Sequence, residues 1–179
     1  SLELKERAAE AFGAQDFARA AELLKRAVLL DPHSAVLYSN RAAAHMMLDQ
    51  HREALSDADE AIRLKPGWAK GHSRRGAALY RLGDLAGARD ALEQALALGE
   101  GDSVHTRGTR QELQLVVDAI ESRSRRALEL KERAVDAFGE ERYARALELL
   151  NSAIELDPSN AALFSNRSAA HAALEQHDA

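Results

Sequence analysis

The side chains whose types and spacing suit chemistry are cations and amides rather than nucleophiles. Lys70 and Arg74 stand four residues apart, so a helix places them on one face. Asn40 lies in the run Ala35 to Arg41, Ala-Val-Leu-Tyr-Ser-Asn-Arg. The run returns as Ala161 to Arg167, Ala-Ala-Leu-Phe-Ser-Asn-Arg, which carries Asn166. Each copy opens just after a Leu-Asp-Pro turn, and helix propensity alone requires an asparagine in neither. Positive charge joined to an amide donor is the chemistry of anion recognition.

Other chemistries lack such a signal. There is no Gly-rich phosphate loop and no G-x-S-x-G nucleophile motif. His33, His51, His72, His105 and His177 are scattered, with no His/Asp/Glu cluster at ligand spacing, so neither a metal nor a cofactor is expected. His45 and His171 read as packing residues between helices. Asp57, Asp59 and Glu60 read as a charged helix surface. The absence of cysteine rules out a disulfide framework and a Cys-based zinc site. A net charge of -5 argues against a nucleic-acid binder. No apolar run approaches the roughly 18–20 residues that cross a bilayer. No secretory signal opens the chain. The start at Ser1 and the stop just after a helix are read as those of an excised fragment.

The elements that must position these residues follow from composition and period. Hydrophobic residues make up 46% of the 179, carried by alanine and leucine, while aromatics are only 4%; the fold class expected is all-α. A 34-residue period places small residues in register at Ala8, Ala42 and Gly76, at Ala20, Ala54 and Ala88, and at Ala27, Ala61 and Ala95. Pro32 and Pro66 close the first two repeats, and Glu100 stands where the third would have its proline. Each repeat divides into helix A, a turn and helix B. The predicted pairs are Leu2–Ala14 with Phe17–Leu30, Val36–Leu48 with Arg52–Leu64, and Lys70–Leu82 with Leu85–Leu98.

This pattern resembles the tetratricopeptide repeat, a 34-residue helix-turn-helix unit, over residues 1–102. The resemblance implies a right-handed superhelix of stacked helical hairpins, since one hairpin cannot bury its apolar side alone. Residues 103–126 break the period. Gly99, Gly101 and Gly108 loosen the chain, and Thr109 to Glu121 reads as a seventh, capping helix. Leu113, Val116, Val117 and Ile120 form its apolar stripe; Arg110, Gln114, Asp118 and Glu121 form its solvent face.

From Ala127 the chain starts again, and 31 of the 53 positions in 127–179 match the residue 126 earlier. So 127–179 is read as the start of a second domain: one full repeat plus helix A of the next. No glycine or proline falls between Thr109 and Phe138, which predicts one long helix of about thirty residues, roughly 45 Å. A hinge at 122–126 is the alternative. Helix 161–179 is expected to leave Leu163, Phe164 and Leu174 exposed in a monomer, and so to pair with another copy or fray.

In a stacked array of this kind the A helices line the concave face. The residues facing it are Leu2, Lys5, Ala9, Phe12 and Gly13, then Val36, Ser39, Asn40, Ala43, Met46 and Met47, then Lys70, Ser73, Arg74, Ala77, Tyr80 and Arg81. None of these is acidic. Lys5, Asn40, Lys70 and Arg74 therefore converge, which suits an anionic ligand.

Lys-Glu-Arg-Ala in helix A1, Leu-Tyr-Ser-Asn-Arg in A2 and Lys-Gly-His-Ser-Arg in A3 resemble the carboxylate-clamp domains of chaperone adaptors. Those domains grip the Glu-Glu-Val-Asp tails of cytosolic heat-shock chaperones of the seventy- and ninety-kilodalton classes. Carried onto this sequence, the clamp is Lys5, Asn40, Lys70 and Arg74, and the fifth residue, an A1 asparagine, is replaced by Ala9. Lys5 and Asn40 would hold the terminal main-chain carboxylate, and Lys70 and Arg74 the aspartate side chain. A charge-assisted hydrogen bond is worth on the order of 1.5–3 kcal/mol, so losing the asparagine weakens the tail by around tenfold. Phe12, Met46, Met47 and Tyr80 would meet the preceding residues, with Met adaptable to their shape. The second unit supplies Lys131 and Asn166, with Val135 in place of the missing asparagine.

The resemblance implies a cytoplasmic co-chaperone adaptor that binds protein rather than catalysing a reaction, with no nucleic acid and no membrane. The alternative is a scaffold whose groove takes an internal peptide or a partner's helix.

Overall fold

The computed structural model describes residues 2–99 and 104–177, and among these every regular element is an α-helix. Helices α1 (Leu2–Gly13) and α2 (Phe17–Leu30) form the first hairpin. Helices α3 (Ala35–Met47) and α4 (His51–Leu64) form the second, and α5 (Ala69–Leu82) and α6 (Leu85–Leu98) the third. Helix α7 runs Val104–Gly139, followed by α8 (Tyr143–Leu156) and α9 (Ala161–His177). The chain divides into two compact units, Ser1–Val117 and Asp118–Ala179, and the boundary falls within α7.

The local reasons for these helices repeat with the sequence. The A-to-B turn places Gln15, Asp49, Gly83 and Glu141 at φ of 61°, 57°, 86° and 60°, the left-handed region. Only the third copy has the glycine that this conformation favours. One residue later, Asp16 and Asp84 cap the next helix, accepting from Arg19 N at 3.1 Å and Gly87 N at 2.9 Å. Pro32, Pro66 and Pro158 stand beyond the B helices they terminate, where a missing N–H cannot continue the ladder.

In the first unit, α1 packs on α2, α3 on α4 and α5 on α6, and α2 meets α3 while α4 meets α5. Helix α3 also meets α5, so these two A helices are neighbours. The small residues make this possible. Ala20, Ala27, Ala42, Ala54, Ala61 and Ala88 are wholly buried. At Gly76 a Cβ would come within 2.5 Å of Leu92 Cγ, so α5 and α6 are closer than even alanine allows.

Several expectations need correction. Asp57 is not on the surface: it is 5% exposed and takes a bidentate bond from Arg41, Nε to Oδ2 at 2.8 Å and a terminal nitrogen to Oδ1 at 2.5 Å. That pair joins α3 to α4. His45 sits beside it, Nε2 3.6 Å from Asp57 Oδ2 and Nδ1 2.6 Å from Gln50 Oε1. Its counterpart His171 is exposed. His72 is buried and donates from Nε2 to the Pro66 carbonyl at 2.8 Å.

Gly108 lies inside α7 rather than loosening the chain before it. Thr106 and Thr109 nearby are buried, so this turn is packed despite the cost of about 1 kcal/mol for glycine in a helix. Helix α7 has no break at 122–126.

In the second unit, Leu163 is wholly buried in a core with Leu147, Leu149 and Leu150, and Leu174 packs partly against it. Only Phe164 of the three residues expected to be bare is exposed, at 40%. One hairpin against α9 suffices to cover Leu163, because α8 supplies the apolar face.

Candidate functional site

The first unit holds a cavity of about 420 Å³ along its A helices. From α1 it is lined by Leu2, Lys5, Glu6, Ala9 and Phe12; from α3 by Asn40 and Ala43; and from α5 by Arg74. Leu24 and Ala8 contribute from behind. Phe12 is anchored edge-on to Phe17, ring centroids 5.1 Å apart, which ties this wall to the α1–α2 turn. Small residues at Ala9 and Ala43 keep the middle open.

Lys70 is not among the lining residues, yet its charge is felt there. Its ammonium is held below the usual lysine range by burial first, then by Arg74 and Lys5. Three cations from two helices thus crowd one region, the arrangement that attracts an anion. Met46 and Tyr80 are half-buried and Met47 is 54% exposed; none of the three lines the cavity.

Three charged or titratable groups escape the sequence reading. Glu6 lines the cavity and breaks its acid-free character. It occupies the sixth place of helix A, the same place as Asn40 and Arg74 in their repeats, and that register is the signal for it. The other two come from α7. The Arg74 guanidinium is lowered by burial and held up by Glu112. The Glu112 carboxyl is pushed up by burial and pulled back by Arg74. His105 is lowered by burial, then by Arg74 and Lys70. A bond from Thr109 Oγ1 to Ser73 Oγ, 3.3 Å, fixes α7 against α5. No period marks these positions, because this first part of α7 lies outside the repeat.

The second unit has a smaller cavity of about 150 Å³, lined by Ala134, Val135, Phe138, Leu150, Asn166 and Ala169. Lys131 is half-buried and is not in its lining. Among the described residues no group of three or more His, Asp or Glu side chains is placed to hold a metal. No helix among them is long and apolar enough to cross a membrane.

Residues 69–102 match the family model of the tetratricopeptide repeat. The chain is 45% identical over 94 residues to the heat shock protein sti1 homolog of Schizosaccharomyces pombe, covering 52% of this chain and 16% of that protein. It is 31% identical over 189 residues to RNA polymerase II-associated protein 3 of Xenopus tropicalis, covering 91% of this chain and 29% of that protein. Among solved structures it is similar to the first TPR of Spaghetti (RPAP3) bound to the HSP90 peptide SRMEEVD. The TM-score is 0.61 and the identity 31%, over 67% of this chain and 92% of that one. The fold is accordingly an all-α superhelix of stacked helical repeats.

Proposed function

Because the chain belongs to the tetratricopeptide-repeat family, we propose that its first unit is an adaptor module for acidic C-terminal tails of heat-shock chaperones. The observation that carries this reading is the convergence of Lys5, Asn40 and Arg74 on one cavity, with Lys70 in electrostatic contact with two of them. Lys5 and Asn40 take the terminal main-chain carboxylate, and Arg74 with Lys70 takes the aspartate side chain. The flat fork of Arg74 suits a carboxylate better than a point charge does. Ala9 offers no amide, so the terminal carboxylate has one donor fewer. Phe12 and Ala43 give the preceding apolar side chain a floor.

The likeness to a domain bound to a peptide ending in Glu-Glu-Val-Asp supports this choice of ligand. The module works by binding, without catalysis, in the cytoplasm. Residues 1–102 make up the binding domain, and 127–179 begin a second domain of the same kind.

A scaffold that takes an internal peptide is the second reading. It is favoured by the apolar share of the lining, Leu2, Ala8, Ala9, Phe12, Leu24 and Ala43. Calorimetric titration with a tail peptide, free and C-terminally amidated, separates the two. The clamp predicts that amidation removes most of the binding. Equal affinity for both forms would select the scaffold.

A further inference from the structure

The groups around Arg74 carry an inference that deepens the clamp reading and rests on it. Thr109 and Glu112 are three residues apart on α7 and share a face. Thr109 Oγ1 is bonded to Ser73 Oγ, and Ser73 precedes Arg74 on α5. The same helix face therefore brings Glu112 to Arg74. Glu112 Oε2 and Arg74 Nε are both shielded from solvent, and neither has a hydrogen-bond partner in the protein. Two opposite charges thus lie near enough to feel each other, in a partly dry place, with no ion pair closed between them. A buried charge that lacks full pairing is poised to accept a better partner.

We propose that Glu112 is the resident countercharge of Arg74, competing with an incoming ligand carboxylate for the guanidinium, so that binding is coupled to protonation of Glu112. The ligand class is an anion with a carboxylate at its end, and Glu112 sets how strongly that carboxylate must bid for Arg74.

The sign of the coupling follows from charge. A ligand carboxylate on Arg74 absorbs the field that holds Glu112 ionised, and it adds a negative charge nearby. Both effects favour the neutral Glu112 carboxyl, which burial already favours. Binding takes up a proton and tightens as pH falls, until the ligand's own carboxyls protonate near pH ~4.

The other charged groups at the site are Lys5 and Glu6 on α1, Lys70 on α5 and His105 on α7. His105 lies near the same two cations, and a bound anion raises it too. Its contribution has the same sign and is separated by substitution.

The test is calorimetry on the full chain with a peptide ending in Glu-Glu-Val-Asp, at about pH 7.5 and about pH 6, a range in which an ordinary histidine also titrates. The wild type, Glu112→Gln and His105→Gln are compared. Glu112→Gln keeps the shape and removes the charge; it binds about three- to tenfold tighter at the higher pH and gains less on acidification. His105→Gln keeps most of the acid-induced gain. Unchanged or weaker binding by Glu112→Gln at the higher pH would overturn the proposal.

If no form binds the peptide, or the amidated peptide binds as well, the clamp reading has failed by itself. The pairing is then decided without ligand, from the Glu112 carboxyl titration by carbon-13 NMR. An upward move in Arg74→Gln upholds the pairing, and an unmoved titration overturns it.

Discussion

Asn40 and Asn166 occupy the same place in nearly the same run of residues, yet their surroundings differ. Asn40 shares a cavity of about 420 Å³ with Lys5, Glu6 and Arg74. Asn166 shares one of about 150 Å³ with Val135, Phe138 and alanines. Both runs hold the same local contact: Arg41 lies over the Tyr38 ring at 5.4 Å and Arg167 over Phe164 at 5.3 Å. The partners beyond it diverge. Arg41 reaches the buried carboxylate of Asp57, whereas Arg167 reaches the neutral amide of Asn151 at 3.3 Å. Met46 and Met47 are matched by Ala172 and Ala173. An asparagine in the right run therefore does not make an anion site. In the proposed reading the cations of α5 complete it, and the second unit has no counterpart of α5 among its described helices.

The contrast breaks most readily at Arg74. Arg74→Glu puts a like charge beside the ligand and is expected to cost about 4 kcal/mol, close to a thousandfold in affinity, with helicity unchanged. Fluorescence polarisation with a labelled tail and far-ultraviolet circular dichroism check the two halves of this statement.

Next comes the ion pair that distinguishes the two arginines. Asp57→Ala strands a half-buried Arg41 and is expected to destabilise the first unit by about 3 kcal/mol. Asn151→Ala removes an exposed bond and costs less than about 1 kcal/mol. Denaturant titration of each variant measures the difference.

Ala9→Asn adds an amide to the first groove and is expected to tighten the tail about tenfold, roughly 1.4 kcal/mol. Val135→Asn makes the same change in the second groove and is expected to create no measurable binding there.

The smallest effect lies in the part of α7 that belongs to the first unit. A Cβ on Gly108 meets nothing within 4 Å, so Gly108→Ala is expected to stabilise that unit by about 0.5–1 kcal/mol. Thermal unfolding followed by circular dichroism reads it.

The hairpins were legible because a 34-residue period constrains close packing directly. Ala8, Ala42 and Gly76 sit where two helices nearly touch, and only small side chains fit. Lys5, Asn40 and Arg74 were legible for the same reason, since the period assigns each a face. Helix A1 also assigned a face to Glu6, and its carboxylate went unread although the register pointed to it.

Asp57 and Glu112 were hidden by a different cause. A carboxylate is buried only when a partner compensates it, and the partners come from other helices. Arg41 lies sixteen residues from Asp57, and the whole of α6 lies in sequence between Arg74 and Glu112. No spacing within one helix encodes either meeting. Leu163 was misjudged likewise: its exposure was inferred from a missing partner helix, while the preceding hairpin already covers it.

The central claim is that the first groove, through the cations of α5, reads a free terminal carboxylate and the second does not. Residue-resolved NMR of the whole chain, titrated with a free and an amidated Glu-Glu-Val-Asp peptide, tests it most directly. The account predicts shifts at Lys5, Asn40, Lys70 and Arg74 with the free peptide, little change with the amidated one, and none at Val135 or Asn166. Equal shifts with both peptides, or shifts centred on Val135 and Asn166, would contradict it.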